Sequence, residues 1–153
     1  MSTENSSLAD RFAIRELIDR YSYAVNERDW KAFESCFAED AVWDVGKPFS
    51  FRVQGRSSVV DLARTKISEL DFVIQTPHAT VIWLDGHHAR AHSTMREIVS
   101  GAGGTAGVQM WGTYADELVR SDGEWRFTSR VFRVTTANLT APVGDCYKEW
   151  AAR

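Results

Sequence analysis

Of the residues in this 153-residue chain, His78 has the side chain best suited to carrying a proton. An imidazole gains and loses a proton near neutrality, so in an enclosed site it serves as general acid or base. Pro77 immediately precedes it and keeps the chain extended on approach. In a strand His78 would share a face with Thr80 and Ile82, because side chains alternate with a period of two. Two readings stand: a proton carrier inside an apolar hollow, or a buried neutral imidazole satisfied by one backbone carbonyl. His87, His88 and His92 invite a metal, and the last two would bind zinc together on a helix. Asp85-Gly86 is a hairpin turn signal instead, and along a strand four residues span roughly 13 Å, too far for one ion. No metal is expected. Gly101-Ala-Gly-Gly-Thr-Ala-Gly107 lacks the strand-to-helix context of a phosphate-binding loop and reads as a hairpin connection. No nucleophile elbow and no cofactor motif occurs, so no cofactor is expected.

The elements that must position these residues follow from periodicity. Phe12, Ile14, Leu17, Ile18, Tyr21 and Val25 recur at helical spacing, with Ser6, Ser7 or Asp10 as cap. Asp29 is a good N-cap for a second helix from Trp30 to Cys36. Ala41–Val45 and Phe49–Gln54 read as short strands. A third helix spans Val59–Leu70, capped by Ser57 or Ser58. From Phe72 the pattern becomes strand-like: Phe72–Leu84, His88–Val99, Gly107–Arg120 and Trp125–Thr136, separated by Asp85-Gly86, the glycine-rich stretch and Ser121-Asp-Gly123. Helices followed by hairpin-ordered strands predict an α+β domain. One domain spans 1–153, with its core at about 10–138 and a tail at 139–153 that carries Pro142 and Trp150 and packs over the sheet or a neighbour.

Four pieces of this chain, Asp29-Trp30, Phe37-Ala-Glu-Asp40-Ala-Val-Trp43, Pro77-His78 and Asp122-Gly-Glu-Trp125-Arg-Phe, resemble the SnoaL-like and scytalone-dehydratase-like branch of the nuclear transport factor two-like superfamily. The resemblance covers roughly Asp10 to Asn138. It implies a cone: a curved antiparallel (mixed) sheet wrapped over three N-terminal helices, with an interior pocket. It also implies that His78 is catalytic and that a carboxylate at the end of the first helix pairs with it. Asn26 stands at that position here. Asparagine can still orient an imidazole but supplies no negative charge; Glu27, Asp29 and Asp44 are the alternative carboxylates. By the same resemblance Tyr21 joins the catalytic group, although about 140° of helix separates it from Asn26. Trp43, His92, Tyr114 and Arg130 line the pocket and bind substrate, the last because a guanidinium binds carboxylates or enolates well.

Forty-four per cent of residues are hydrophobic and the formal net charge is −3, with no basic stripe to follow phosphates, so nucleic acid is not an expected partner. The polar start lacks a signal peptide's layout, and no apolar run reaches membrane-spanning length. Two cysteines, Cys36 and Cys146, make no disulfide framework. A cytoplasmic location is predicted. The eight phenylalanines, six tryptophans and four tyrosines exceed what the core needs and suit a cavity or a subunit contact. The expected function is a cofactor-independent lyase or isomerase moving a proton on a small hydrophobic, cyclic molecule, within a homodimer or homotrimer. The alternative is a non-catalytic ligand-binding or assembly subunit, like the β subunits of ring-hydroxylating dioxygenases.

Overall fold

The computed structural model describes residues 3–101, 103–140, 144 and 146–148. Pro142 and Trp150, assigned above to a packing tail, lie outside the described residues. Helix α1 (Thr3–Glu27) and helix α2 (Trp30–Ser35) lead into strands β1 (Phe37–Val45) and β2 (Phe51–Gln54). Helix α3 (Arg56–Ser68) precedes four long strands: β3 (Leu70–Asp85), β4 (His88–Gly101), β5 (Ala106–Ser121) and β6 (Glu124–Asn138). The strands form one sheet in the order β2-β1-β6-β5-β4-β3. Among the described residues only the β1–β6 pairing is parallel, which makes the sheet mixed. Three helices on a curved, open six-stranded sheet match the expected α+β cone.

Helix α1 buries Ile14, Leu17, Ile18, Tyr21, Ala24 and Val25, a stripe at three- and four-residue spacing that faces the sheet. Phe12, expected in that stripe, is 68% exposed. The helix begins ahead of all three expected caps. Asp10 lies inside it and instead accepts hydrogen bonds from Arg120 at 2.8 Å and the Trp125 indole at 3.0 Å. Its end is marked by Arg28 in the left-handed region (φ 56°), with the Asp29 amide reaching back to the Ala24 carbonyl at 2.9 Å. Asp29 then caps α2, accepting from the Ala32 amide at 3.0 Å. Helix α3 starts earlier than expected: Gly55 at φ 91° is its N-cap, with no side-chain cap bond. Neither Ser57 nor Ser58 caps it, because a glycine that adopts positive φ freely turns the chain one residue ahead of Arg56.

The sheet bends where its register slips. Pairing skips between Pro77 and Thr80 in β3, between Trp111 and Gly112 in β5, and again between Glu117 and Leu118, where Thr128 of β6 is passed over. Each extra residue reverses which side chains face inward. Gly112 lets two strands and a ring approach closely. A Cβ there would sit 2.5 Å from Phe132 Cζ and 2.6 Å from the Arg133 carbonyl. Gly112→Ala is expected to destabilise the fold by about 1–3 kcal/mol, the usual cost of overpacking, read as a lower Tm at unchanged secondary structure.

Candidate active site

A cavity of about 250 Å³ lies between the inner face of the sheet and helices α1 and α3. Val25, Val45, Ile67, Val73, Val99, Val108 and Met110 supply apolar wall, and Trp43, Phe51 and Phe132 supply aromatic wall. Phe49, Lys66 and Glu69, all exposed, form its rim. Polar groups are few: the hydroxyls of Tyr21 and Tyr114, and the side chains of Gln75 and Glu97. Mostly apolar walls with a few convergent polar groups are the usual form of a small-molecule site.

Glu97 is the group most altered by this setting. It projects from β4 between Gln75 of β3 and Met110 of β5, its neighbours in register. Its Oε2 accepts a 2.7 Å hydrogen bond from Gln75 Nε2. Burial pushes the carboxyl up to about 7, the Gln75 bond only partly opposing it. A carboxyl with that affinity for protons can take one up or give one back near neutral pH. The Tyr21 and Tyr114 hydroxyls lie 3.3 Å apart. Burial raises both above the ordinary phenol range, so both stay protonated and can donate.

Behind the two tyrosines, outside the cavity lining, sits Arg130, which is 0% exposed. Its guanidinium carbon is 3.8 Å from the Tyr114 ring centroid, 4.0 Å from that of Tyr21 and 4.3 Å from that of Phe127. Asp116, also fully buried, approaches it at 3.5 Å. Burial pushes the Asp116 carboxyl up to about 7 against the pull of Arg130. Arginine does not give up its proton in proteins, so Asp116 is its natural counter-ion.

The expected site residues separate into two groups. Tyr21, Tyr114 and Trp43 line the cavity, and Arg130 faces inward beneath the tyrosines. His78, Asn26 and His92 do not meet there. His78 is exposed, its ring centroid 5.0 Å from that of Trp111 on the outer face. The register slip between Pro77 and Thr80 breaks the alternation, so inward-facing Ile82 no longer shares a side with His78. His92 is exposed against Trp83 at 5.2 Å. The inward residues of β4 are Ala89, Ala91, Ser93, Met95, Glu97 and Val99, opposite in parity to His92 and Thr94.

Asn26 bonds to backbone rather than to an imidazole. Its Nδ2 donates to the Gln75 carbonyl at 3.0 Å, and its Oδ1 accepts from the Gln75 amide at 2.7 Å. The end of α1 is thereby fastened to the residue that holds Glu97. An aspartate could accept from that amide but could not donate to the carbonyl. Asn26→Asp is therefore expected to lower stability by about 1–3 kcal/mol, measured by denaturant unfolding at neutral pH.

Glu97, Gln75 and Asp116 were missed by sequence reasoning. The signal for Glu97 was present, since it is the one acid among the small and apolar odd-numbered residues of β4. Among the described residues no group of three or more histidine, cysteine or carboxylate side chains could hold a metal ion. No helix of the described residues is long and apolar enough to cross a membrane.

Solved structures share this architecture. A candidate scytalone dehydratase of Novosphingobium aromaticivorans superposes with a TM-score of 0.80 at 19% identity, over 94% of this chain and 99% of that one. The hexachlorocyclohexane dehydrochlorinase LinA-type3 of Novosphingobium barchaimii gives 0.83 at 18% identity, over 95% and 100%. A candidate aromatic ring hydroxylase of Novosphingobium aromaticivorans gives 0.80 at 21% identity, over 87% and 94%. No curated protein matches the sequence. Residues 6–131 match the family model of the SnoaL-like domain, and the chain belongs to that family.

Proposed function

We propose that this protein is a cofactor-independent enzyme of the lyase or isomerase type, moving a proton on a small hydrophobic, cyclic substrate with Glu97 as acid and base. The carrying observation is the Glu97 carboxyl itself, held by Gln75 on the wall of an apolar cavity beside two phenol hydroxyls. As base, its carboxylate takes the proton from a carbon next to an electron-withdrawing group. As acid, it returns that proton to another carbon or to a leaving hydroxyl, giving double-bond shift or elimination. Apolar walls exclude water and strengthen each polar contact with the developing charge. The dehydratase and dehydrochlorinase among the structural relatives support this reaction class. His78 has no part in it, and an exposed ring stacked on Trp111 is the reason.

The test needs no natural substrate. Cyclic ketones incubated with the protein in heavy water exchange their α-protons when an enclosed base removes them, and NMR follows the loss of signal. The wild type and His78→Ala should exchange at equal rates, and Glu97→Gln should not exchange above the solvent background. Equal exchange in Glu97→Gln, or loss of exchange in His78→Ala, would overturn the assignment.

Exposed Ile74, Val81, Trp83 and Trp111 on the outer face of the sheet support association into a homodimer or homotrimer, checked by light scattering. A second reading, a non-catalytic ligand-binding or assembly subunit, draws support from the likeness to the candidate aromatic ring hydroxylase. Co-purification with a larger catalytic subunit would favour it.

A further inference from the structure

Two hydroxyls carry two protons, and the Tyr21–Tyr114 hydrogen bond at 3.3 Å uses one of them. The other remains available to a ligand in the cavity that both residues line. Arg130 stacks beneath these same rings, within about 4 Å of both centroids, and its three nitrogens make no hydrogen bond among the described residues. Fully buried, Arg130 cannot touch a ligand, so its charge acts through the ring faces. A cation on a ring face draws electron density from the hydroxyl into the ring, which makes each phenol a stronger donor.

We propose that Tyr21, Tyr114 and Arg130 form an oxyanion subsite, whose ligand class is a single carbocyclic ring bearing an enolate or phenolate oxygen. One hydroxyl donates to the oxygen, the other donates to that first hydroxyl, and Arg130 is a positioning residue behind them. The proposal rests on the proton-transfer reading above, because it names the anion that such a transfer creates. Size agrees: an apolar cavity of roughly 150 Å³ accepts benzene, so about 250 Å³ takes one ring with substituents. When a phenol binds, its O–H bond breaks, the electron pair stays on oxygen, and the proton goes to Glu97 if that carboxylate is ionised and otherwise to solvent.

The probe is 4-nitrophenol, whose phenolate absorbs visible light and whose neutral form does not. It is titrated with protein in a buffer below its own pKa, where the free compound is mostly neutral. Wild-type protein should raise the phenolate-to-phenol ratio of the bound compound about tenfold, one pKa unit. Tyr21→Phe and Tyr114→Phe, which keep the stacked rings, should each lose most of that gain. The double variant Arg130→Met/Asp116→Leu should still bind the neutral form but ionise it no more than water does. Glu97→Gln should keep the gain, with the proton released to solvent, even where α-proton exchange is lost. Binding of neutral nitrophenol only, or full ionisation in both tyrosine variants, would overturn the subsite while leaving the role of Glu97 to its own exchange test.

Discussion

Replacing Glu97 with glutamine should lower α-proton exchange by about 10²–10⁴-fold, the usual contribution of general acid–base catalysis, and should at the same time stabilise the protein above pH 7. The two effects share one cause. Burial lifts the carboxyl to about 7, against about 4.3 for an exposed glutamate. Below about 4.3 the folded and unfolded chains both hold the proton. Between the two values only the folded chain holds it, so stability falls as pH rises, and by pH 8 the folded chain carries a buried charge that the unfolded chain solvates freely. At ~1.36 kcal/mol per unit the difference is about 4 kcal/mol. Glutamine removes it while keeping an acceptor for Gln75, so Tm at pH 8 should rise by several degrees, at roughly 2–4 °C per kcal/mol. Part of the pH slope should persist, because Asp116 is raised in the same direction. In the wild type, kcat/KM should fall about tenfold per unit below pH 7 as the base is protonated. A catalytic group that strains the fold holding it is the expected trade between activity and stability.

Arg130→Met alone should cost about 3–5 kcal/mol at pH 8, because it leaves the fully buried Asp116 without its counter-charge. At pH 5 the loss should shrink, since an unpaired buried carboxyl takes a proton more readily. Adding Asp116→Leu should recover most of the stability, as replacing both members of a buried pair with apolar groups is often neutral or better. Urea unfolding of both variants at the two pH values tests this. A single variant as stable as the wild type at pH 8 would mean that the pair contributes nothing to the fold.

Most of the architecture was legible because its signals are local. The helical stripe of α1, the Asp29 cap and the Asp85-Gly86 and Asp122-Gly123 turns depend on neighbours a few residues away. The resemblance then supplied the topology, including the inward course of Tyr21, Tyr114 and Trp43. The site was less legible because facing is a property of whole strands. In β3, apolar residues occur on both parities around Pro77, and one register slip sends His78 outward. In β6, passing over Thr128 brings Arg130 onto the same side as Phe127. Neither slip leaves a mark in composition. On β4 the opposite holds: His88, Arg90, His92, Thr94 and Arg96 form a polar set against Ala89, Ala91, Ser93, Met95 and Val99. Plain alternation places Glu97 inside, and the resemblance, which turned His92 into the pocket, read the strand in the wrong parity.

Selective carbon-13 labelling of glutamate carboxyl groups, followed by NMR titration of the ligand-free protein, tests the central claim most directly. One carboxyl should titrate near pH 7, and its signal should vanish in Glu97→Gln. If every glutamate titrates near its ordinary value of about 4.3, no carboxyl in this cavity is poised to carry a proton at neutral pH.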